Sequence, residues 1–207
     1  CALPICIGTG WGAAVRVARV APGDVVIVMG VGGVGIHAVQ GAAMSGAAHV
    51  IAVDPVPFKR ETALTSGATV AYADIEEATE FARGVTNGQG ADAALVCIGF
   101  TTPEHVAQAF AAIRKGGAVV VTGLGDASKV GIPIPLGELT LYEKRLLGGL
   151  YGSCVPTYDI PLLLDLYENG RLQIDRYITR RYPLHQLNQA LTDLHSGEVI
   201  KGVITFD

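Results

Sequence analysis

The stretch Gly30-Val31-Gly32-Gly33-Val34-Gly35 constrains the fold of this chain more than any other. It follows the apolar run Val25 to Met29 directly and opens a helical pattern at Gly33, with Ile36, Val39 and Ala43 on one stripe and Gly46 placed to end it. Four hydrogen-only side chains in six residues are costly unless the backbone needs them. In G-x-G-x-x-G the first glycine permits a tight turn, the second leaves the backbone bare for close approach, and the third lets the helix lie against the strand. Unpaired N–H groups at the start of the helix then face outward and favour an anion.

The rest of the chain repeats that strand–helix alternation. Apolar runs at Val50 to Val53, Thr69 to Tyr72, Ala93 to Ile98 and Ala118 to Val121 are nearly continuous rather than alternating, as strands buried on both faces of a parallel sheet are. Helices are expected at Phe58 to Ser66 and at Pro103 to Arg114, the latter with Pro103 in its first turn and Gly116 at its exit. A lead-in helix is expected over Thr9 to Val20, with Thr9 as its cap. The spacing predicts βαβ units and a doubly wound α/β sheet. In the last third, strands are expected at Leu146 to Tyr151 and Val199 to Phe206, and helices at Pro156 to Tyr167 and Pro183 to His195. The expected division is a lead-in segment over 1–22, a Rossmann domain over 23–155, and C-terminal elements over 156–207.

Composition removes several classes of function. With 15 Lys and Arg against 19 Asp and Glu, the net charge is −4, and no basic cluster suits nucleic acid. No apolar run approaches the ~20 residues that span a bilayer. The four cysteines, Cys1, Cys6, Cys97 and Cys154, are irregularly placed and form neither a disulfide framework nor a C-x-x-C knuckle, so reduced thiols and a cytoplasmic location are expected. Only 16% of residues are charged. That suits either a surface covered by another domain or subunit, or an α/β protein rich in small residues. The chain opens at Cys1 and its first Met is Met29, inside a predicted strand, so it is expected to be a fragment.

Asp54 follows the second apolar run. A carboxylate there accepts hydrogen bonds from adenosine ribose hydroxyls and repels a 2′-phosphate, which points to NAD rather than NADP. Lys59 is expected near the ribose, although it or Arg60 would also suit a 2′-phosphate. Methyltransferases also pair a glycine-rich turn with a strand-end acid, but need fewer glycines. His37, on the helix after the turn, reads as a packing residue.

Through essentially all its length the chain resembles the C-terminal coenzyme-binding part of zinc-dependent medium-chain alcohol dehydrogenases. The resemblance is carried by Thr9-Gly10-Trp11-Gly12-Ala13-Ala14-Val15, Val20-Ala21-Pro22-Gly23-Asp24-Val25-Val26, the glycine turn, Asp54 and Gly67-Ala68-Thr69. Gly152-Ser153-Cys154, Leu166-Tyr167-Glu168-Asn169-Gly170-Arg171-Leu172 and Ser196-Gly197-Glu198 are similar to the branch with formaldehyde-active and nicotinoprotein members. The resemblance implies cofactor contacts at Thr9, Gly30, Gly32, Gly33, Val34, Gly35, Asp54 and Lys59. It adds Cys97, Ile98 and Gly99 at the end of the fourth strand, Thr122, Gly123 and Leu124 at the end of the fifth, Leu150 and Tyr151 by the nicotinamide, and Lys201 at the pyrophosphate.

It also implies a catalytic zinc, with Cys6 as the nearest match to the third ligand. The family usually has Gly-Cys with four residues before the glycine of Thr-Gly, whereas here Ile5 precedes Cys6 and only Ile7, Gly8 and Thr9 separate it from Gly10. The remaining ligands and most of the pocket for an alcohol or aldehyde substrate would lie in an N-terminal catalytic domain outside this sequence, to which the C-terminal elements would belong. Such a fragment would bind cofactor without turning over substrate. Two other readings stay open: a zinc-free quinone or enoyl reductase of the same superfamily, and a non-catalytic nucleotide-binding or oligomerising module. Self-association as a homo-oligomer is expected along Val130 to Pro135, with Leu146 to Tyr151 as the pairing strand.

Overall fold

The computed structural model describes residues 2–206, with side chains from residue 5 onward. Cys1 lies outside the described residues. Six parallel strands form one sheet in the order β3-β2-β1-β4-β5-β6. They are β1 (Val25–Met29), β2 (His49–Val53), β3 (Val70–Tyr72), β4 (Ala91–Val96), β5 (Ile113–Val121) and β6 (Arg145–Gly148). This is the doubly wound order, in which β1 has β2 on one side and β4 on the other.

The apolar runs build two cores because successive strand side chains point to opposite faces. Val26, Val28, Ala52 and Leu95 face helix α2 (Gly35–Met44), where Ile36, Val39 and Ala42 are fully buried. Ile27, Ile51, Ala94 and Val96 face α4 (Ile75–Val85) and α5 (Pro103–Ala112), meeting Ala78, Ala82 and Phe110. Helix α3 (Pro57–Leu64) links β2 to β3. A third cluster joins the first helix, α1 (Ala2–Gly12), to α7 (Pro156–Glu168), through Ile7, Trp11, Leu163, Leu172 and Ile174. A separate parallel pair, β7 (Ile178–Pro183) and β8 (Lys201–Thr205), flanks α8 (Leu187–His195). The short α6 (Leu136–Leu141) precedes β6.

Several expectations are corrected. Thr9 is not a helix cap: α1 already begins at Ala2, and the chain continues through a π-helical stretch over Ala13–Ala18 before Arg19 turns it at φ 55°. Helix α5 stops at Ala112 instead of Arg114, because Ile113 already starts β5, so Gly116 is a residue of that strand and not a helix exit. The expected strand over Leu146 to Tyr151 ends at Gly148; Leu150 and Tyr151 form a 3-10 turn in which Tyr151 has φ 53°. The expected helix from Pro183 is the end of β7, a 3-10 turn and then α8. The segment 130–135 is not a strand. Helix α4 went unanticipated, although Asp74 caps it by accepting the Glu77 N–H at 2.9 Å. Among the described residues, no helix is long and apolar enough to cross a membrane.

Candidate functional site

The crevice opens where the strand order reverses, at the carboxyl ends of β1 and β4. Each glycine of the turn shows its reason there. Gly30 has φ +83° and donates its N–H to the Val53 carbonyl at 2.7 Å, turning the chain away at the end of β1. A Cβ on Gly35 would lie 2.8 Å from the Gly30 carbonyl carbon and closer still to its oxygen, so only glycine lets α2 rest on the strand end. A Cβ on Gly32 would meet nothing within 4 Å: its bareness serves the crevice, not the protein's own packing. Helix α2 starts behind Val34 without a side-chain cap, leaving its first-turn N–H groups to another acceptor.

Asp54 stands beside this turn with 5% of its surface exposed. One carboxylate oxygen accepts the Val31 N–H at 2.9 Å and the other the Val56 N–H at 3.0 Å. The side chain therefore ties the glycine turn to the β2–α3 connection, and each oxygen keeps acceptor capacity for a sugar hydroxyl. Arg60 is committed to backbone, donating to the Asp54 carbonyl at 2.7 Å and the Pro55 carbonyl at 2.9 Å.

A cavity of about 630 Å³ runs along this edge. It brings together Gly30, Gly32, Asp54, Lys59, Cys97, Ile98 and Gly99 among the anticipated residues. Gly33, Val34 and Gly35 continue the same turn. The Cys97 thiol is buried, which pushes its pKa up to about 11, and it accepts a hydrogen bond from the Thr122 hydroxyl at 3.5 Å, so it is an inert wall. The cavity does not reach Thr9, Thr122, Gly123, Leu124, Leu150, Tyr151 or Lys201. Thr122 spends its hydroxyl on the Val96 carbonyl at 3.1 Å, Leu124 is 82% exposed beyond the sheet, and Leu150 is 92% exposed. Thr9 is nearly buried within α1, and the Tyr151 ring lies against Gly8.

Lys201 and Cys6 meet on the other flank of the turn. The Lys201 ammonium donates to the Cys6 sulfur at 3.0 Å, and a Cβ on Gly33 would lie 3.5 Å from that sulfur. Among the described residues, no group of three or more His, Cys, Asp or Glu side chains could hold a metal ion, so this chain offers a zinc at most the one thiolate of Cys6. Cys154 is structural: its thiol donates to the Gly8 carbonyl at 3.3 Å, and burial pushes it up to about 11. His37 packs as expected. It is 1% exposed, edge-on to the Tyr177 ring and beside the Gln40 amide at 3.1 Å, and burial, aided by the Lys201 charge, pushes it down to about 3.

The crevice also holds residues that sequence reasoning missed: Asp74, Glu76, His105, Gln108 and the turn Ser196–Gly197 after α8. A Cβ on Gly197 would lie 3.4 Å from the Lys59 ammonium, so this turn closes on the Asp54 end. Asp74 followed by Glu77, and Thr102-Pro103 followed by His105, are helix-start signatures that would have placed two of them.

A doubly wound sheet with a three-glycine turn and a strand-end acid at its switch point defines the coenzyme-binding domain of dehydrogenases. The chain belongs to the zinc-binding dehydrogenase family, whose family model matches residues 33–169. It is 48% identical over 198 residues to the NDMA-dependent alcohol dehydrogenase of Amycolatopsis methanolica, covering 96% of this chain and 53% of that protein. It is 40% identical over 200 residues to alcohol dehydrogenase B of Mycobacterium tuberculosis, covering 97% and 53%. Benzyl alcohol dehydrogenase from Acinetobacter calcoaceticus superposes with a TM-score of 0.88 at 30% identity, over 97% of this chain and 54% of that one. The chain spans about half the length of the curated relatives it matches.

Proposed function

We propose that this chain is the coenzyme-binding portion of an NAD-dependent alcohol or aldehyde oxidoreductase, with residues 23–155 as the dinucleotide domain. One observation carries the reading: the bare face of Gly32, the uncapped start of α2 and the Asp54 carboxylate share one crevice edge. The N–H groups at the start of α2 hold the diphosphate, Gly32 admits it, and Asp54 receives the ribose hydroxyls. Lys59 lies against Ser196–Gly197, so the C-terminal segment covers the sugar's outer side. Bound NAD would supply the hydride acceptor. Zinc, where the whole protein holds it, would polarise the alcohol. Cys6 would contribute one donor beside the glycine turn, where Lys201 also sits, ready to balance a diphosphate. Leu150, Tyr151 and the Thr122–Leu124 strand end serve the nicotinamide end in this reading, and Thr9 supports them from α1.

Calorimetric titration tests the proposal. NAD is expected to bind about tenfold or more tighter than NADP. The opposite preference favours the quinone or enoyl reductase reading, and no binding by folded protein favours the non-catalytic module. For self-association, β6 is the sheet's outer strand, and Val130, Leu136 and Leu141 nearby are 92%, 75% and 80% exposed. A strict monomer in sedimentation, with this edge left bare, would remove the homo-oligomer.

A further inference from the structure

The cavity extends past the sugar site to an end formed by the start of α4 and one face of α5, which the glycine turn does not explain. Its chemistry is asymmetric. From α4 come two carboxylates, Asp74 and Glu76. Asp74 spends one oxygen on the Glu77 N–H and keeps the other. From α5 comes His105, whose Nδ1 accepts the Thr102 N–H at 3.2 Å in a capping box. That bond leaves the ring proton on Nε2, so the imidazole presents a donor to the crevice. Gln108, one turn along α5, reaches across to Glu76 with its amide nitrogen 3.5 Å from the carboxylate and bridges the two helices. Acceptors therefore stand on one wall and a fixed donor on the other. The apolar surfaces of Ile98 and Pro55 lie between this end and the sugar site and suit a flat ring.

Resting on the coenzyme reading above, we propose that this end reads the edge of a 6-aminopurine: the carboxylates of Asp74 and Glu76 accept from the exocyclic amine while His105 donates to ring nitrogen N1. A 6-oxopurine mismatches at both points. Its carbonyl oxygen faces the carboxylates, and its N1 carries a hydrogen toward the His105 N–H. A site built to hydrogen-bond one edge pattern discriminates against the other by leaving its own polar groups unpaired. Because Asp74, Glu76 and Gln108 are exposed, solvent dilutes the effect, so the expected preference is about tenfold, toward the low end for a matched base-edge pair.

The experiment compares dissociation constants for NAD and nicotinamide hypoxanthine dinucleotide on the unmodified protein, on Glu76→Gln and on the double variant Glu76→Gln/His105→Glu. Glutamate at 105 keeps a capping-box acceptor while replacing the donor. Circular dichroism and melting confirm folding, and Glu76→Gln, at an exposed position, carries the test if the double variant fails to fold. The unmodified protein is expected to favour NAD by about tenfold, with the ratio falling to about one or below in the double variant and part of the way in Glu76→Gln. Two dissociation constants within about twofold of each other on the unmodified protein overturn the base-reading inference and leave the coenzyme reading standing. So does an unchanged ratio in folded variants. Binding of neither dinucleotide by folded protein overturns both.

Discussion

Two glycines three residues apart should respond to the same substitution in opposite ways. Adding a methyl group at Gly35 places a carbon 2.8 Å from the Gly30 carbonyl carbon, with the oxygen nearer still. Ordinary contact begins near 3.4 Å, so α2 must retreat from β1 by more than half an ångström. That retreat opens the packing of Ile36 and Val39, both fully buried, against the sheet. Overpacking of this kind costs about 1–3 kcal/mol, and a backbone partner that cannot swing aside puts Gly35→Ala at or above the upper end. For a chain of this size about 3 kcal/mol lowers the melting temperature by roughly 6–12 °C. A methyl group at Gly32 touches no protein atom within 4 Å, and the residue does not need a left-handed backbone. Gly32→Ala should therefore melt within about 2 °C of the unmodified protein, or slightly higher because the unfolded chain loses freedom. The same methyl stands where a diphosphate must approach, so NAD affinity should fall by about tenfold or more. Thermal melts by circular dichroism and calorimetric titration read the two quantities separately. Equal destabilisation by the two variants, or undiminished NAD affinity in Gly32→Ala, would refute the division of labour within the turn.

Asp54→Asn removes the charge that opposes a 2′-phosphate while keeping one acceptor, so the ratio of NAD to NADP affinity should shrink by about tenfold; an unchanged ratio in titration would take Asp54 out of the sugar site. Gln40→Ala should cost about 2 kcal/mol in chemical denaturation, because its amide holds both backbone groups of Gln173, at 3.0 Å and 2.8 Å, and ties α2 to the C-terminal segment. A loss below about 0.5 kcal/mol would mean that water replaces those bonds without penalty. His37 titrates at about 3 in the fold against 6.5 in an unfolded chain, so the unfolded state binds more protons between those values. Its stabilising contribution is complete above pH 6.5 and drains as pH falls toward 3. His37→Leu should flatten that part of the stability profile, and parallel profiles for the two proteins would contradict the assignment.

What lay in the sequence was whatever is local along the chain. The glycine spacing of 30–35 reports backbone demands within one turn. The apolar runs report strands covered on both sides, and β1 came out at the bounds Val25–Met29 read from the residues alone. Asp54 was legible because it follows its strand directly. Elements without a strong apolar stripe were not: α4 is mostly polar outside Ile75, Ala78 and Ala82, and β7 carries Arg180 and Arg181. Family resemblance pointed to Lys201 beside the turn, but not to the Cys6 sulfur it meets.

Tertiary structure alone decided who faces whom. Asp74 and His105 share a crevice because parallel strands carry the starts of their following helices to the same edge of the sheet. The turn after α8 reaches Lys59 from far along the chain, and His37 is neutral only because Tyr177 and its neighbours seal it from water. Backbone geometry is a near-neighbour property that residue order can encode directly. Proximity across a sheet depends on strand order and packing, which no short stretch of residues contains.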